Sequence, residues 1–139
     1  MGNSQSMQKI NFEDIQTAFK NPNIYLLINT LSDSEQDCLI LNTIPANKEE
    51  QVINHHMYSS KRVRIAIYGR NSSDEKIYKK YDQLVKLGFQ NVFIYMGGMF
   101  EWLMLQDIYG YEEFPTTIKQ LDFLKYKPPQ RLNISLIEN

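Results

Sequence analysis

A single cysteine, Cys38, stands among the 139 residues. No disulfide can therefore close within the chain, and a reducing compartment is expected. No apolar run approaches the ~18 residues that read as a membrane span, and no secretory h-region is expected at the start. Neither sign of charge is in excess. Fifteen basic and 16 acidic residues leave a net charge of −1, which argues against a nucleic-acid binder held by bulk charge. Metal-ligand spacing is missing as well. His55 and His56 are adjacent, so on a helix they point about 100° apart, and no Cys, Asp or Glu stands at ligand spacing to them. Solvated histidines, no metal and no cofactor are the expectation.

What is present suits one globular domain. Hydrophobic residues make up 42% and charged residues 22% of the chain, and the length allows a full core. Residues 1–8 are small and polar and read as a flexible start. Residues 9–126 read as the domain, and 127–139, opened by Lys127-Pro128-Pro129, as a tail. The start matches the M-G-x-x-x-[ST] pattern, with Gly2 as the acceptor of a myristoyl group and Ser6 at the key position. One acyl chain binds membranes only marginally, with K of about 10⁴ M⁻¹. Lys9 is the one nearby basic residue, so any tether would be reversible.

Strand and helix signals alternate along the domain. Lys9 to Asn11 reads as a short edge strand. Asn11 is a plausible N-cap for a helix over Phe12 to Lys20, with Glu13 and Asp14 in its first turn and Phe12, Ile15 and Phe19 as its apolar stripe. Ile24 to Ile28 reads as a buried parallel strand. It leads to Asn29-Thr30-Leu31, at the strand end where ligands bind in open α/β sheets. Residues 32–38 read as an acidic loop or one helical turn. Cys38 reads as a small, partly buried hydrophobe. Thr43-Ile44 is a short strand ended by Pro45, and Asn47 is expected to cap a helix from Lys48 to about Met57. Further on, Ile77, Tyr81, Leu84 and Val85 make one helix face, with Gly88 at the C′ position. Lys79, Lys80 and Lys86 lie on the outer, solvated face. Asn91 to Tyr95 is a strand, and Gly97-Gly98 turns it into a helix over Phe100 to Ile108 that carries Trp102, Leu103 and Leu105. Tyr109 to Thr117 is an aromatic loop, and Leu121 to Tyr126 a short last helix or extension. The pattern implies an α/β fold with a mainly parallel sheet.

Ile65-Ala66-Ile67-Tyr68 does not alternate and reads as a strand buried on both faces. Gly69, Arg70, Asn71, Ser72, Ser73 and Asp74 follow as a polar loop. Ser72 and Glu75 fit an S-x-x-E capping box, which would start a helix there. Free N–H groups and the positive end of a helix dipole would then converge on the loop and form an anion cradle. Arg70 favours an anion, while Asp74 and Glu75 oppose one. At most weak binding of a small anion is expected.

The chain resembles a rhodanese-like domain from about Lys9 to Trp102. Thr43-Ile44-Pro45-Ala46 is similar to the family's H-I-P-G-A. Leu84 to Gly88 with Asn91-Val92 is similar to L-x-x-x-G-x-x-N-V, and Gly97-Gly98 with Trp102 to G-G-x-x-x-W. The segment from Phe100 to Thr117 resembles a subgroup associated with unicellular eukaryotes and large DNA viruses. The resemblance implies a central, mainly parallel five-stranded sheet flanked by helices on both faces. It also implies a sulfurtransferase loop in which a cysteine carries a persulfide. Here that cysteine position falls on Gly69. Arg70 matches the arginine often beside it, and the aspartate and arginine of the family's D-x-R segment become Asn29 and Leu31.

No catalytic residue is therefore assigned. Ser72 and Ser73 have no identified base, and Cys38 lies outside the loop. The function implied is that of a catalytically inactive rhodanese-like domain, acting as a binding or regulatory module for an unidentified protein partner. The expected place is the cytoplasm, peripheral at a membrane if Gly2 is acylated, or the virion if the chain is viral. The alternative is a sulfurtransferase or phosphatase-like enzyme with a displaced nucleophile.

Overall fold

The computed structural model describes residues 7–132. Five strands, β1 (Gln8–Ile10), β2 (Tyr25–Asn29), β3 (Thr43–Ile44), β4 (Arg64–Tyr68) and β5 (Asn91–Tyr95), form one sheet in the order β1-β5-β4-β2-β3, with every pairing parallel. The four α-helices are α1 (Phe12–Lys20), α2 (Ala46–Ser59), α3 (Lys76–Lys86) and α4 (Gly98–Tyr109). Asp33–Glu35 and Phe123–Tyr126 form single 3-10 turns. This is the α/β fold with a parallel five-stranded sheet expected from the sequence.

The central strand sorts its side chains to two cores. Ala66 and Tyr68 face α1 and α4, in a cluster with Ile15, Phe19, Leu27, Tyr95, Trp102 and Leu103. Ile65 and Ile67 face α2 and α3, with Ile28, Ile53, Ile77, Leu84 and Ile94. Ile65, Ala66, Ile67 and Tyr68 are all buried, because helices cover both sides of a parallel sheet and leave no polar face. Trp102 is the largest buried side chain. It meets Phe114 at 5.0 Å, Phe19 at 6.1 Å and Tyr95 at 6.4 Å between ring centroids, all edge-on, and its Nε1 donates to the Pro115 carbonyl at 3.1 Å.

Local chemistry sets the helix starts. Asn11 caps α1 by accepting from the Glu13 and Asp14 N–H groups, and Asp14 returns the bond to the Asn11 N–H. Two expected starts move. Helix α2 begins at Ala46 behind Pro45, so Asn47 lies inside the first turn and does not cap it. Pro45 is itself the N-cap residue, with extended backbone, and its carbonyl accepts from the Lys48 N–H at 2.9 Å. Helix α4 begins at Gly98, two residues before Phe100. Val85 is 43% exposed and so lies off the buried face that Ile77 and Leu84 make on α3.

Candidate functional site

The loop after β4 sits at the carboxyl end of the central strand. Its neighbours are the end of β2 on one side and the end of β5 on the other, with Tyr68 in register with Asn29 and Tyr95. This is where an open α/β sheet offers a crevice to ligands. The structure brings Gly69, Arg70, Asn71, Ser72, Ser73 and Asp74 together here, and places each in a different role.

Gly69 does not need to be glycine for its backbone, which is outside the left-handed region. The obstacle is side chains. A Cβ on Gly69 would lie 2.2 Å from Asp74 Oδ2, 2.8 Å from Asp74 Cγ and 2.7 Å from Thr30 Oγ1. The space beyond Gly69 is thus filled by a carboxylate of the chain itself. Asp74 Oδ2 accepts from the Arg70 N–H at 3.1 Å and from the Thr30 hydroxyl at 3.1 Å. Its Oδ1 accepts from the Lys76 N–H at 3.0 Å. Three donors from two segments and a helix N-terminus converge on one anion.

The expected Ser72–Glu75 capping box is not formed. Helix α3 starts at Lys76, and neither Ser72 nor Glu75 supplies a side-chain cap. The reason is a turn that takes up the residues between. Asn71 Oδ1 accepts from the Ser73 N–H at 2.8 Å, and the Asn71 carbonyl accepts from the Asp74 N–H at 3.2 Å. This Asx-type turn delays the helix and hands the capping to Asp74. Ser72 and Ser73 are exposed. Among the described residues the N–H groups of Asn71 and Ser72 meet no acceptor.

Arg70 turns away from the loop. Its guanidinium pairs with Glu35, donates to the Lys125 carbonyl and lies over the Tyr126 ring, 5.3 Å from the centroid. Glu35 is buried and also accepts from the Ser32 hydroxyl at 2.9 Å. Asn71 is buried and donates through Nδ2 to the Tyr126 carbonyl at 2.8 Å. Arg70 and Asn71 therefore fasten the 3-10 turn at Phe123–Tyr126 to the loop. Tyr126 is fully buried, and burial pushes its phenol up to about 12. Sequence reasoning placed Thr30 at this end of the sheet but missed its bond to Asp74, and it missed Glu35 and the Lys125–Tyr126 turn. These partners stand 35, 44 and 55 residues from the loop residues they meet, and no local pattern links them.

The other family positions have structural partners. Asn29 is buried and exchanges amide hydrogen bonds with Gln36, at 2.7 and 3.2 Å. Gln36 Oε1 in turn accepts from the Ala46 N–H at 2.9 Å. Leu31 is a buried apolar side chain. Cys38 is 1% exposed, with Sγ 3.7 Å from the Ile118 carbonyl, and burial, reinforced by Asp37, raises its pKa above the usual thiol value. That is the reverse of an activated thiolate.

The turn after β5 closes the site from the other side. The N–H groups of Met99 and Phe100 donate to the carbonyls of Gly69 and Arg70 at 3.0 and 2.9 Å. Gly98 has φ +65°, and a Cβ there would lie 2.6 Å from the Gly69 carbonyl oxygen and 2.9 Å from the Asn71 nitrogen. Only glycine permits both that backbone and that approach.

Open space lies beside the loop. A groove of about 820 Å³ runs between α2 and α3, floored by Asn29 to Leu31, Ile53 and Leu84. Glu49 and Glu50 line one wall and Lys76, Lys79 and Lys80 the other, and a Lys80–Glu49 ion pair at 2.5 Å spans them. His55 is exposed, and among the described residues no cluster of three His, Cys, Asp or Glu side chains could hold a metal. No helix of the described residues is long and apolar enough to cross a membrane. Gly2 lies outside the described residues.

A family model described as "Rhodanese-like domain" matches residues 15–105. The chain belongs to the rhodanese-like domain family. Among solved structures it is similar to the Alr3790 protein from Anabaena sp., with 20% identity, TM-score 0.55 and coverage of 77% of this chain and 89% of that one. It is also similar to the BH2092 protein from Bacillus halodurans, with 20% identity, TM-score 0.56 and 74% of each chain covered. A third similar structure is the Saccharomyces cerevisiae single-domain sulfurtransferase RDL2, with 18% identity, TM-score 0.53 and coverage of 74% and 94%. At these identities the neighbours establish the shared fold. Comparison with curated proteins found no significant match.

Proposed function

We propose that this rhodanese-like domain is non-catalytic and acts as a binding or regulatory module for a protein partner, held reversibly at a membrane by an acyl chain on Gly2. The observation that carries the reading is the loop after β4. Gly69 offers no nucleophile there, and the volume a nucleophile would need holds the Asp74 carboxylate. A rhodanese-type transfer requires a thiolate at this point to accept a sulfane sulfur, and the one cysteine of the chain is buried elsewhere with its thiol stabilised. Ser72 and Ser73 are exposed hydroxyls with no general base bonded to them in the described residues, which also weakens a phosphatase-like reading.

Two assays test the proposal. Purified protein should show no saturable thiosulfate:cyanide transfer and no aryl-phosphate hydrolysis above buffer. Turnover by the wild-type protein would overturn the non-catalytic reading, and its loss in Cys38→Ser would name Cys38 as a displaced nucleophile. Protein made in a host with a myristoyltransferase should carry one myristoyl group, lost in Gly2→Ala together with vesicle association. An unmodified mass from such a host would remove the tether.

A further inference from the structure

We infer that the amino end of the sheet is a basic face that rests on an anionic membrane leaflet; the inference deepens, and rests on, the membrane-tethered reading above. All five strands run parallel, so the segments that enter the sheet arrive at one end. Segments 20–25, 58–64 and 86–91 lead into β2, β4 and β5. They contain Lys20, Lys61, Arg62, Arg64 and Lys86, and no Asp or Glu. The three segments meet in space. Tyr25, Arg64 and Asn91 are register neighbours at the strand starts. Asn91 Nδ2 donates to the Arg62 carbonyl at 3.0 Å, and Lys61 Nζ lies 3.0 Å from where a Cβ on Gly88 would be. All five basic residues are exposed, and among the described residues none of them pairs with a carboxylate. The net charge of −1 therefore hides a segregation. At the opposite end, the segment after β2 carries Asp33, Glu35 and Asp37.

Charge alone would suit any polyanion. Two further observations choose a lipid surface. Large apolar side chains stand exposed in the same segments or at the helix ends beside them: Tyr58 is 92% exposed, Ile24 51% and Val85 43%. Such a mixture suits a bilayer interface, where amphipathic rings sit among the headgroups and Lys and Arg meet anionic lipid. The second observation is the place of the acyl acceptor. β1 runs parallel to β5, with Gln8 in register with Phe93, so its start faces the same end of the sheet. Gly2 is six residues before Gln8, a reach of about 20 Å at full extension. The tether therefore starts from the basic end of the domain and not from the loop after β4. One acyl chain holds a protein only marginally, and a basic patch is the kind of second signal that strengthens it. The sequence beside Gly2 offers Lys9 alone; the fold supplies five more cations. Carboxylates return at Asp82, one turn before Lys86 on α3, and at Asp107, in the last turn of α4, which confines the face to the strand starts.

The test is flotation of the full chain, made with a myristoyltransferase, on two kinds of vesicle: phosphatidylcholine alone, and phosphatidylcholine mixed with phosphatidylserine. The protein should bind the mixed vesicles more tightly, and the excess should shrink as salt is raised. One basic residue at an anionic surface strengthens binding about fivefold. Lys61→Ala/Arg62→Ala should therefore weaken binding to mixed vesicles at least about tenfold, and leave binding to phosphatidylcholine unchanged. Lys76→Ala/Lys79→Ala removes the same charge from the start of α3, at the other end of the sheet. Salt screens that distance, so the loss there should stay below about threefold. Equal weakening by the two double variants, or equal binding to the two kinds of vesicle, would overturn the inference. So would capture of a short DNA duplex, lost in Lys61→Ala/Arg62→Ala, without binding to mixed vesicles; that result would give the face to nucleic acid. Gly2→Ala separates the face from the tether. It should keep the preference for mixed vesicles at lower affinity, and loss of the preference with the acyl group would overturn the inference. An unmodified mass of the wild-type protein would remove the tether instead, so the two failures are distinct.

Discussion

Two strand-to-helix turns lie side by side at the carboxyl end of the sheet, and they differ in what limits their residues. The turn after β5 is short and is limited by backbone. Gly98 needs a left-handed φ, and its missing Cβ lets α4 reach the neighbouring loop carbonyls. The turn after β4 is longer and is limited by side chains. Gly69 has ordinary backbone, and what excludes a larger residue is the Asp74 carboxylate and the Thr30 hydroxyl. The first kind of limit supports the fold whatever the domain does. The second kind sets what chemistry the loop could host, and here it has been resolved in favour of a self-contained, fastened loop.

The largest contrast should come from the first turn. Gly98→Ala should cost about 3 kcal/mol or more in denaturant unfolding, because it combines a left-handed backbone with a clash against main chain that cannot move aside. A loss below about 1 kcal/mol would mean that the two turns are not in fact packed together.

Arg70→Ala tests the fastening of the second turn. Breaking a buried ion pair costs about 3–5 kcal/mol, but the Arg70 side chain is 35% exposed, so solvent screening reduces the expected loss to about 2 kcal/mol. Arg70→Lys should recover only part of it, since an ammonium cannot fork between Glu35 and the Lys125 carbonyl while covering Tyr126. Full recovery would show that charge alone holds the clamp.

Ser72→Ala should change stability by less than about 0.5 kcal/mol, as for a surface position. A working capping box would cost about 1 kcal/mol on the same change. The larger loss would restore the box and weaken the assignment of Asp74 as the capping group.

The smallest effect is confined to alkaline pH. Tyr95, at the end of β5, is raised above the usual phenol range by burial and by its 2.5 Å bond to Glu101. Tyr126, fastened to the loop after β4, is raised by burial to about 12. Both lie above the ordinary phenol value of about 10, so above pH 10 the unfolded chain has lost protons that the folded chain keeps. Their stabilisation is full below pH 10 and is lost as pH rises, for Tyr126 between 10 and about 12. Ultraviolet titration of the folded protein should show a late-ionising class of tyrosines. Uniform ionisation near 10 would contradict the burial of both.

The fold was legible because its signals are local and repeat. The unbroken apolar run of β4, the Asn11 cap and the Gly88 helix end each act within a few residues, and each lies where the sequence places it. The loop was legible as a position and misread as a geometry. Ser72 and Glu75 match a capping pattern, yet the Asn71 turn outcompetes it, since Asn71 can satisfy the Ser73 N–H without starting a helix. Arg70 was read as a ligand for an incoming anion, but Glu35 lies within its reach in the fold and takes it first. Asp74 was read as a charge that repels an anion; it is itself the anion in the loop. Each of these revisions depends on a partner that only the tertiary structure brings near.

The central claim is that the loop after β4 cannot take up sulfur, because it has no thiol and holds its own carboxylate. Intact-mass measurement of the wild-type protein after incubation with excess thiosulfate tests it most directly. The account predicts an unchanged mass. A cyanide-sensitive adduct of one sulfur atom, formed stoichiometrically on the folded protein, would contradict it.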